Sequence, residues 1–212
     1  MKATKVLELL QAGKIKELES ELKNEIMLET SNTTGSKAAN QKAIFKHLQK
    51  LDREVLRKCI YKDGYQYYTD TLFMVKVSES NKNVLIPEVN EKEDGKYPEL
   101  TRIIESTLDN RGFEITLNTK DILNVFKLKQ AKCLYVVDES GQNYIFTAKD
   151  LKHAMQALNY NQETITFKFS VNSLHPFYFK NNDDLAIITC CKCYQMNGTY
   201  FNLQEKDFYA CN

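Results

Sequence analysis

The chain has 212 residues, 42% apolar and 27% charged, with 29 Lys and Arg against 28 Asp and Glu for a net charge of +1. That length holds one large domain or two smaller ones, and so balanced a charge excludes a chain drawn to polyanions by its overall field, leaving only local asymmetry to attract them. No apolar run approaches the roughly 20 residues that cross a bilayer and Met1–Leu10 lacks the apolar centre of a signal peptide, so the expectation is a soluble cytoplasmic protein whose six cysteines are free thiols.

Residues 4–28 read as helix: Val6, Leu7, Leu10, Ile15, Leu18, Leu22 and Ile26 recur at three-to-four spacing. Gly13 interrupts, so two shorter helices fit as well as one. TSNTTGSK is a polar break. Residues 39–59 give the clearest helix, with Ile44, His47, Leu48, Leu51, Val55 and Cys59 on one stripe. Lys42, Lys46, Lys50, Arg53 and Arg57 form the other; at about 100° per residue they fall within about 80° of arc, roughly 160° from the apolar stripe. Asp63-Gly64 is a turn signal. Leu72, Met74 and Lys76 then alternate with Phe73, Val75 and Val77 as a strand, and NVLIPE is a second short strand. VNEKEDGK is a charged loop, and Tyr97-Pro98 opens a short helical or irregular piece.

From Gly112 the pattern is regular. FEITL is a strand. NTKDILNVFKLKQ is a helix capped by Asn118 or Thr119. KCLYVV and NYIF are strands around Glu139-Ser140-Gly141, and TAKDLKHAMQAL is a helix opened by Thr147 with Asp150 at capping-box spacing. ETITFKFSV is a strand with Ile165, Phe167, Phe169 and Val171 inward, followed by the strands HPFYFK and LAIITCCKCYQM. Asn197-Gly198 is a hairpin signal returning through TYFNL. This order predicts an α+β class, with two helices covering one face of an antiparallel sheet, preceded by a helical N-terminal segment.

That order resembles one domain of a DNA sliding clamp, the processivity factor of replicative polymerases, whose bacterial form is the polymerase III beta subunit. GKYPELTRII is similar to the glycine-aromatic-proline segment before the last domain of beta clamps, and EITLNTKDILNVFKLKQAK to the strand and helix that follow it. FTAKDLKHAMQALNYNQETITFKF is similar to the aromatic-led helix, turn and strand of that domain, and PFYFKNNDDLAIIT to its final hairpin. YTDTLFMVKV is similar to the clamp strand Thr-Asp-Gly-x-x-Leu, with Thr71 where glycine is usual. The resemblance covers residues 61–190. The helical first 60 residues and the absence of a Met-Pro-x-Arg ending depart from it.

The resemblance implies a reduced clamp-like chain of a phage or mobile-element type. Residues 1–105 would hold the helical segment and a partial clamp-like domain, and 106–212 a clamp-like domain. DGKYPELTRII is then the connector, restricted at Tyr97-Pro98, with Tyr97 and Leu100 or Ile103 docked on the neighbouring sheet. Clamps do no bond chemistry, so no enzyme, cofactor or metal is implied. Their helices turn one face toward duplex DNA. Here those faces carry Lys42, Lys46, Lys50, Arg53 and Arg57; Lys120 and Lys127 beside Asn124; and Lys149 and Lys152 beside His153 and Gln156. Binding through such faces goes to phosphates, ignores sequence and weakens with salt. Clamp rings have six domains, so two per chain implies a homotrimer if a ring forms. Replication proteins are the other partners implied; a membrane is not.

Other chemistries have thinner support. Cys190, Cys191, Cys193 and Cys211 offer one knuckle spacing, and Cys211 has no neighbour to build a second. His47, His153 and His175 carry no local catalytic signature. Glu163 with Asp183 or Asp184 is the carboxylate set a metal-dependent nuclease would need, although NNDD reads more simply as a turn. Tyr65, Tyr67 and Tyr68 suit base stacking or an ordinary strand. A clamp-fold module that docks host replication proteins without touching DNA remains open beside the DNA reading.

Overall fold

The computed structural model of the protein describes residues 3–19, 22, 37–89, 96–109, 111–170, 176–190 and 199–210. The N-terminal helical stretch divides at its glycine. α1 (Ala3–Gln11) ends in a Schellman turn, Lys14 N donating to Leu9 O at 2.9 Å and Gly13 N to Leu10 O at 3.1 Å. Gly13 sits at φ +65°, where a side chain is disfavoured. A second helical piece at 15–19 buries Leu18. Ile26 and most of the polar break lie outside the described residues.

α2 (Lys37–Leu48) is shorter than its periodicity predicts. Its ladder tightens at the end, with Lys50 N to His47 O at 3.1 Å and Leu51 N to Leu48 O at 3.0 Å. Tertiary packing overrides helical preference here: the chain turns so that a 3₁₀ turn at Glu54–Arg57 delivers Leu56, and then Cys59, to the interior.

β1 (Ile60–Lys62) and β2 (Tyr65–Thr69) are joined by Asp63 at φ +52° and Gly64 at φ +78°. Two such residues make the turn whose twist matches paired strands. β2 runs into β3 (Phe73–Ser78) through Asp70-Thr71-Leu72. NVLIPE is not a strand; apart from a single bridge between Cys59 and Glu88 it is irregular. Buried Gln66 satisfies its backbone instead, accepting from Asn83 N at 2.8 Å and donating to Asn83 O at 3.0 Å.

α3 (Leu100–Asp109) follows the connector. Then β4 (Arg111–Asn118), α4 (Thr119–Val125), β5 (Cys133–Val137), β6 (Asn143–Thr147), α5 (Ala148–Ala157), β7 (Thr164–Ser170), β8 (Phe177–Asn181) and β9 (Asp184–Ile188) come in the predicted order. The caps are those read from sequence. Asn118 Oδ1 accepts from Lys120 N at 2.8 Å. Thr147 Oγ1 accepts from Asp150 N at 3.0 Å and donates to Asp150 Oδ2 at 2.6 Å. β10 (Thr199–Asn202) and β11 (Asp207–Ala210) complete the described chain; Val171, His175 and Asn197-Gly198 lie outside it.

The described strands form two layers, not one. Seven make an antiparallel sheet in the order β1-β2-β3-β9-β8-β7-β4, and four make a second in the order β11-β10-β5-β6. β10, expected to fold back on the LAIITCC strand, instead runs parallel to β5, Tyr200 opposite Cys133. The large sheet crosses the middle of the chain because β3 pairs with β9, Phe73 opposite Ile188.

The main core lies between the large sheet and a layer made of α2, α4, α5 and the small sheet. Phe73, Phe167, Phe177 and Phe179 meet Ile44, Ile122, Leu151 and Phe146. Each such side chain contributes about 1.5–3 kcal/mol on burial. These three helices share one face of the sheet, while α3 covers part of the other. There Tyr97, Leu100 and Ile104 pack on Met74, Tyr178, Leu185 and Ile187. Tyr97 and Leu100 dock as predicted; the third anchor is Ile104, and Ile103 stays 44% exposed.

Candidate nucleic-acid interface

Of the first cationic set only Lys42 and Lys46 ride on α2, the first half-buried and the second exposed. The single stripe of five does not form, because the helix that would align them ends at Leu48. Lys50 is exposed in the following turn, and Arg53 is exposed in the bend beside Asp52 and Glu54, which are exposed as well. Arg57 folds back, its Nε donating to Leu51 O at 2.8 Å.

The cations of the second half are on the surface. Lys120 is exposed in the first turn of α4. α4 is shorter than predicted, so Lys127 lies past its end, exposed, with Nζ donating to Asn124 Oδ1 at 2.9 Å. Lys149 and Lys152 are exposed on α5, and its one acid, Asp150, is buried. Burial holds the Asp150 carboxyl above the usual carboxylate range. The outward side of α5 is therefore cationic without a counter-charge of its own. Among the described residues none of the nine predicted cations is in an ion pair.

A groove of about 400 Å³ joins the three helices. Ala43 of α2, Phe126 just past α4, and Ala148, Lys149, Lys152 and His153 of α5 line it. It brings Lys149 and Lys152 together at its rim; the other seven cations do not line it. An anion over this groove meets two ammonium groups on an apolar floor, an arrangement that binds phosphates by charge and reads no sequence.

The alternative sets are pulled apart. Asp184 is buried and structural, accepting from Ser78 N at 2.7 Å and from the Asn81 side chain. Asp183 is exposed in the turn between β8 and β9, and Glu163 is exposed with its carbonyl accepting from Thr119 N. No group of three or more His, Cys, Asp or Glu among the described residues is placed to hold a metal ion. Cys190 is half-buried; Cys191, Cys193 and Cys211 lie outside the described residues. Tyr67 and Tyr68 point into the two opposite cores, and Tyr65 carries Lys76 Nζ 3.8 Å above its ring, so the three tyrosines form no shared platform.

One association has no signal in the sequence. His47 of α2 and His153 of α5, from different halves of the chain, lie in contact with ring centroids 4.0 Å apart and planes tilted by 36°. Buried Asp70 accepts from His47 Nε2 at 2.6 Å. Nothing local in either helix announces a partner that far along the chain.

No protein-family model matches the chain, and no curated protein matches it. Among solved structures it is similar to the DNA polymerase III subunit beta from Borrelia burgdorferi, solved in complex with a natural product. That alignment has 12% identity and a TM-score of 0.46, over 80% of this chain and 63% of the other. It is also similar to the Helicobacter pylori beta clamp bound to a DNA ligase peptide, with 13% identity and a TM-score of 0.36, over 62% of this chain and 42% of the other. The chain thus spans less than two thirds of either clamp's length. Likeness at this level concerns the course of the backbone and assigns no role to any residue. No helix among the described residues is long and apolar enough to cross a membrane.

Proposed function

We propose that the protein is a non-enzymatic, clamp-like chain that holds duplex DNA through the outer faces of α2, α4 and α5, in the cytoplasm. The observation that carries this reading is the sorting of charge on α5: Lys149 and Lys152 face solvent over the inter-helix groove and Asp150 is turned inward. Lys46 and Lys120 extend the cationic side onto the two neighbouring helices. The sequence resemblance supplies the kind of partner. The division at 105/106 belongs to the same proposal, with β3 and β9 carrying one sheet across it, and so does a homotrimer closing a ring.

Fluorescence anisotropy with a labelled duplex of arbitrary sequence tests the reading. Affinity falls as salt rises, with a log–log slope of about −0.9 per phosphate neutralised. The triple variant Lys46→Glu, Lys149→Glu, Lys152→Glu loses at least tenfold in affinity at low salt. Binding unchanged in that variant, or insensitive to salt, removes these faces from the reading. Light scattering that finds only monomer at micromolar concentration removes the ring.

A second reading, docking of a protein partner, is favoured by a partly apolar cavity of about 470 Å³ between α4 and the β10–β11 hairpin. Leu117, Ile122, Val125, Phe201, Leu203 and Phe208 form its apolar part, and polar residues including the Asp121–Lys206 ion pair form the rest. Leu128, which also lines it, is 43% exposed, and neighbouring Leu123 46%. Leu128→Asp weakens capture of a replication protein and leaves duplex affinity unchanged if docking is the function.

A further inference from the structure

α2 and α5 meet through a polar seam in an apolar core. The ring of His47, in the last turn of α2, lies against that of His153 on α5, and Phe73 sits beside both at 6.0 and 6.1 Å. The two imidazoles are unlike in their surroundings. His47 Nε2 donates to the buried carboxylate of Asp70, which is itself fixed by the backbone N–H groups of Leu72 and Phe73, both at 2.9 Å. His153 Nδ1 is sealed from solvent and has no hydrogen-bond partner among the described residues.

The ionisable groups facing the pair are few. Asp70 comes from the β2–β3 turn and is committed to His47. Asp150, from α5, is buried and committed to Thr147. Lys149 and Lys152, also on α5, add positive charge at the rim. A proton on His153 would lie against the His47 ring and near two ammonium groups, with no acceptor for its Nδ1–H. Both burial and like charge oppose it.

We propose that the His47–His153 contact is a proton-sensitive seam: it holds α2 against α5 while His153 is neutral, and mild acid, by charging His153, parts the two helices while the large sheet stays folded. Burial first, and then the neighbouring cations, hold the His153 imidazole down at about 4 against an ordinary 6.5. Acid between those values therefore works against the contact. Asp150 takes up a proton above the usual carboxylate range and offsets part of the effect. Parting α2 from α5 widens the groove at Ala43 and His153. The seam does not depend on what the cationic faces bind.

Amide hydrogen exchange on the intact chain, corrected for intrinsic rates and followed from pH 7 to 4.5, tests the seam. Protection of α2 and α5 amides falls at least tenfold, and β7 and β8 remain the better protected at every pH. His153→Phe keeps a flat ring against His47 that takes no proton, and its α2 protection stays level across the range. Unchanged α2 protection in the wild type, or the same decline in His153→Phe, overturns the proposal. Should His153→Phe not fold, NMR titration of the wild-type imidazoles decides. A depressed His153 midpoint with concurrent shifts of the Ala43 and Ile44 amides supports the seam. A His153 midpoint at its ordinary value with those amides unmoved sinks it.

Discussion

Asn40 on α2 and Asn159 at the end of α5 are joined amide to amide, Asn40 Nδ2 donating to Asn159 Oδ1 across 3.1 Å. Asn159 Nδ2 donates onward to Asn81 Oδ1, also at 3.1 Å, and Asn81 reaches Leu158 O and Asp184. Asn159 also takes φ +46°, a conformation asparagine tolerates better than other side chains. Asn159→Ala loses both bonds and strains the backbone, for about 2–3 kcal/mol. Asn159→Gly loses the bonds alone and costs less. Urea midpoints of the two variants check the split; equal losses would show that the backbone geometry contributes nothing.

Thr71 occupies φ +80°, where a β-branched side chain crowds its own backbone. The turn is held by bonds that do not use its side chain: Thr71 N donates to Thr69 Oγ1 at 3.0 Å, and Asp70 accepts from the next two residues. Thr71→Gly therefore stabilises the fold by about 0.5–1 kcal/mol, the relief of strain exceeding the added backbone entropy of the unfolded chain. Thermal or urea unfolding measures it, and a loss of stability would contradict it.

Acid stability follows from His153. Its folded value lies near 4 and its unfolded value near 6.5, so between the two the unfolded chain binds more protons. Stability then rises with pH through this window and is lost as pH falls from about 6.5 to about 4. The loss is at most about 3 kcal/mol, less for solvent screening at a ring that is only part-buried, and is reduced further by Asp150, whose raised value acts in the opposite sense. Urea midpoints at pH 7 and 4.5 differ accordingly in the wild type and less in His153→Phe.

Cys59 is buried beside Gln66, which donates to its sulfur at 3.3 Å, and burial pushes its thiol up to about 11. A thiol so held is not a nucleophile at pH 8. Iodoacetamide at that pH modifies Cys59 only when the chain unfolds, which mass spectrometry with and without urea would show. Rapid native labelling at Cys59 would overturn it.

Tyr97 anchors the connector with its ring in the second core and its hydroxyl donating to Lys58 O at 3.0 Å. Tyr97→Phe costs about 1 kcal/mol for the lost bond. Tyr97→Ala costs about 3–5 kcal/mol for the emptied site and loosens α3. Exchange of α3 amides separates the two.

Local chemistry carried the legible part of this fold. The alternation in Phe113–Leu117 and Ile165–Phe169, the Thr147–Asp150 cap and Asp63-Gly64 each act within a few residues, and the elements they specify are present. What the sequence hid depends on distant contact. The apolar stripe through Val55 and Cys59 continues past Leu48, but the interior required those residues on a different path. Strand alternation cannot say which strand lies beside which, so the division into two sheets and the parallel pairing of β10 with β5 were unreadable. In the candidate site, the outward placement of Lys149 and Lys152 was legible because the apolar stripe of Leu151, Ala154 and Met155 fixes which side of α5 faces in. The alignment of Lys50, Arg53 and Arg57 was not, because it presumed a helix that stops. The His47–His153 contact has no local trace at all.

The pairing of Phe73 with Ile188 has a cost in folding time. β1–β3 pair with one another over short loops, whereas their fourth neighbour, β9, comes from far down the chain, and closing so long a loop slows the search. Cut between those partners, neither fragment keeps the seven-stranded sheet. One is left with β3 and the other with β9 as a raw border of unsatisfied backbone beside apolar Met74 and Ile187, a template for aggregation.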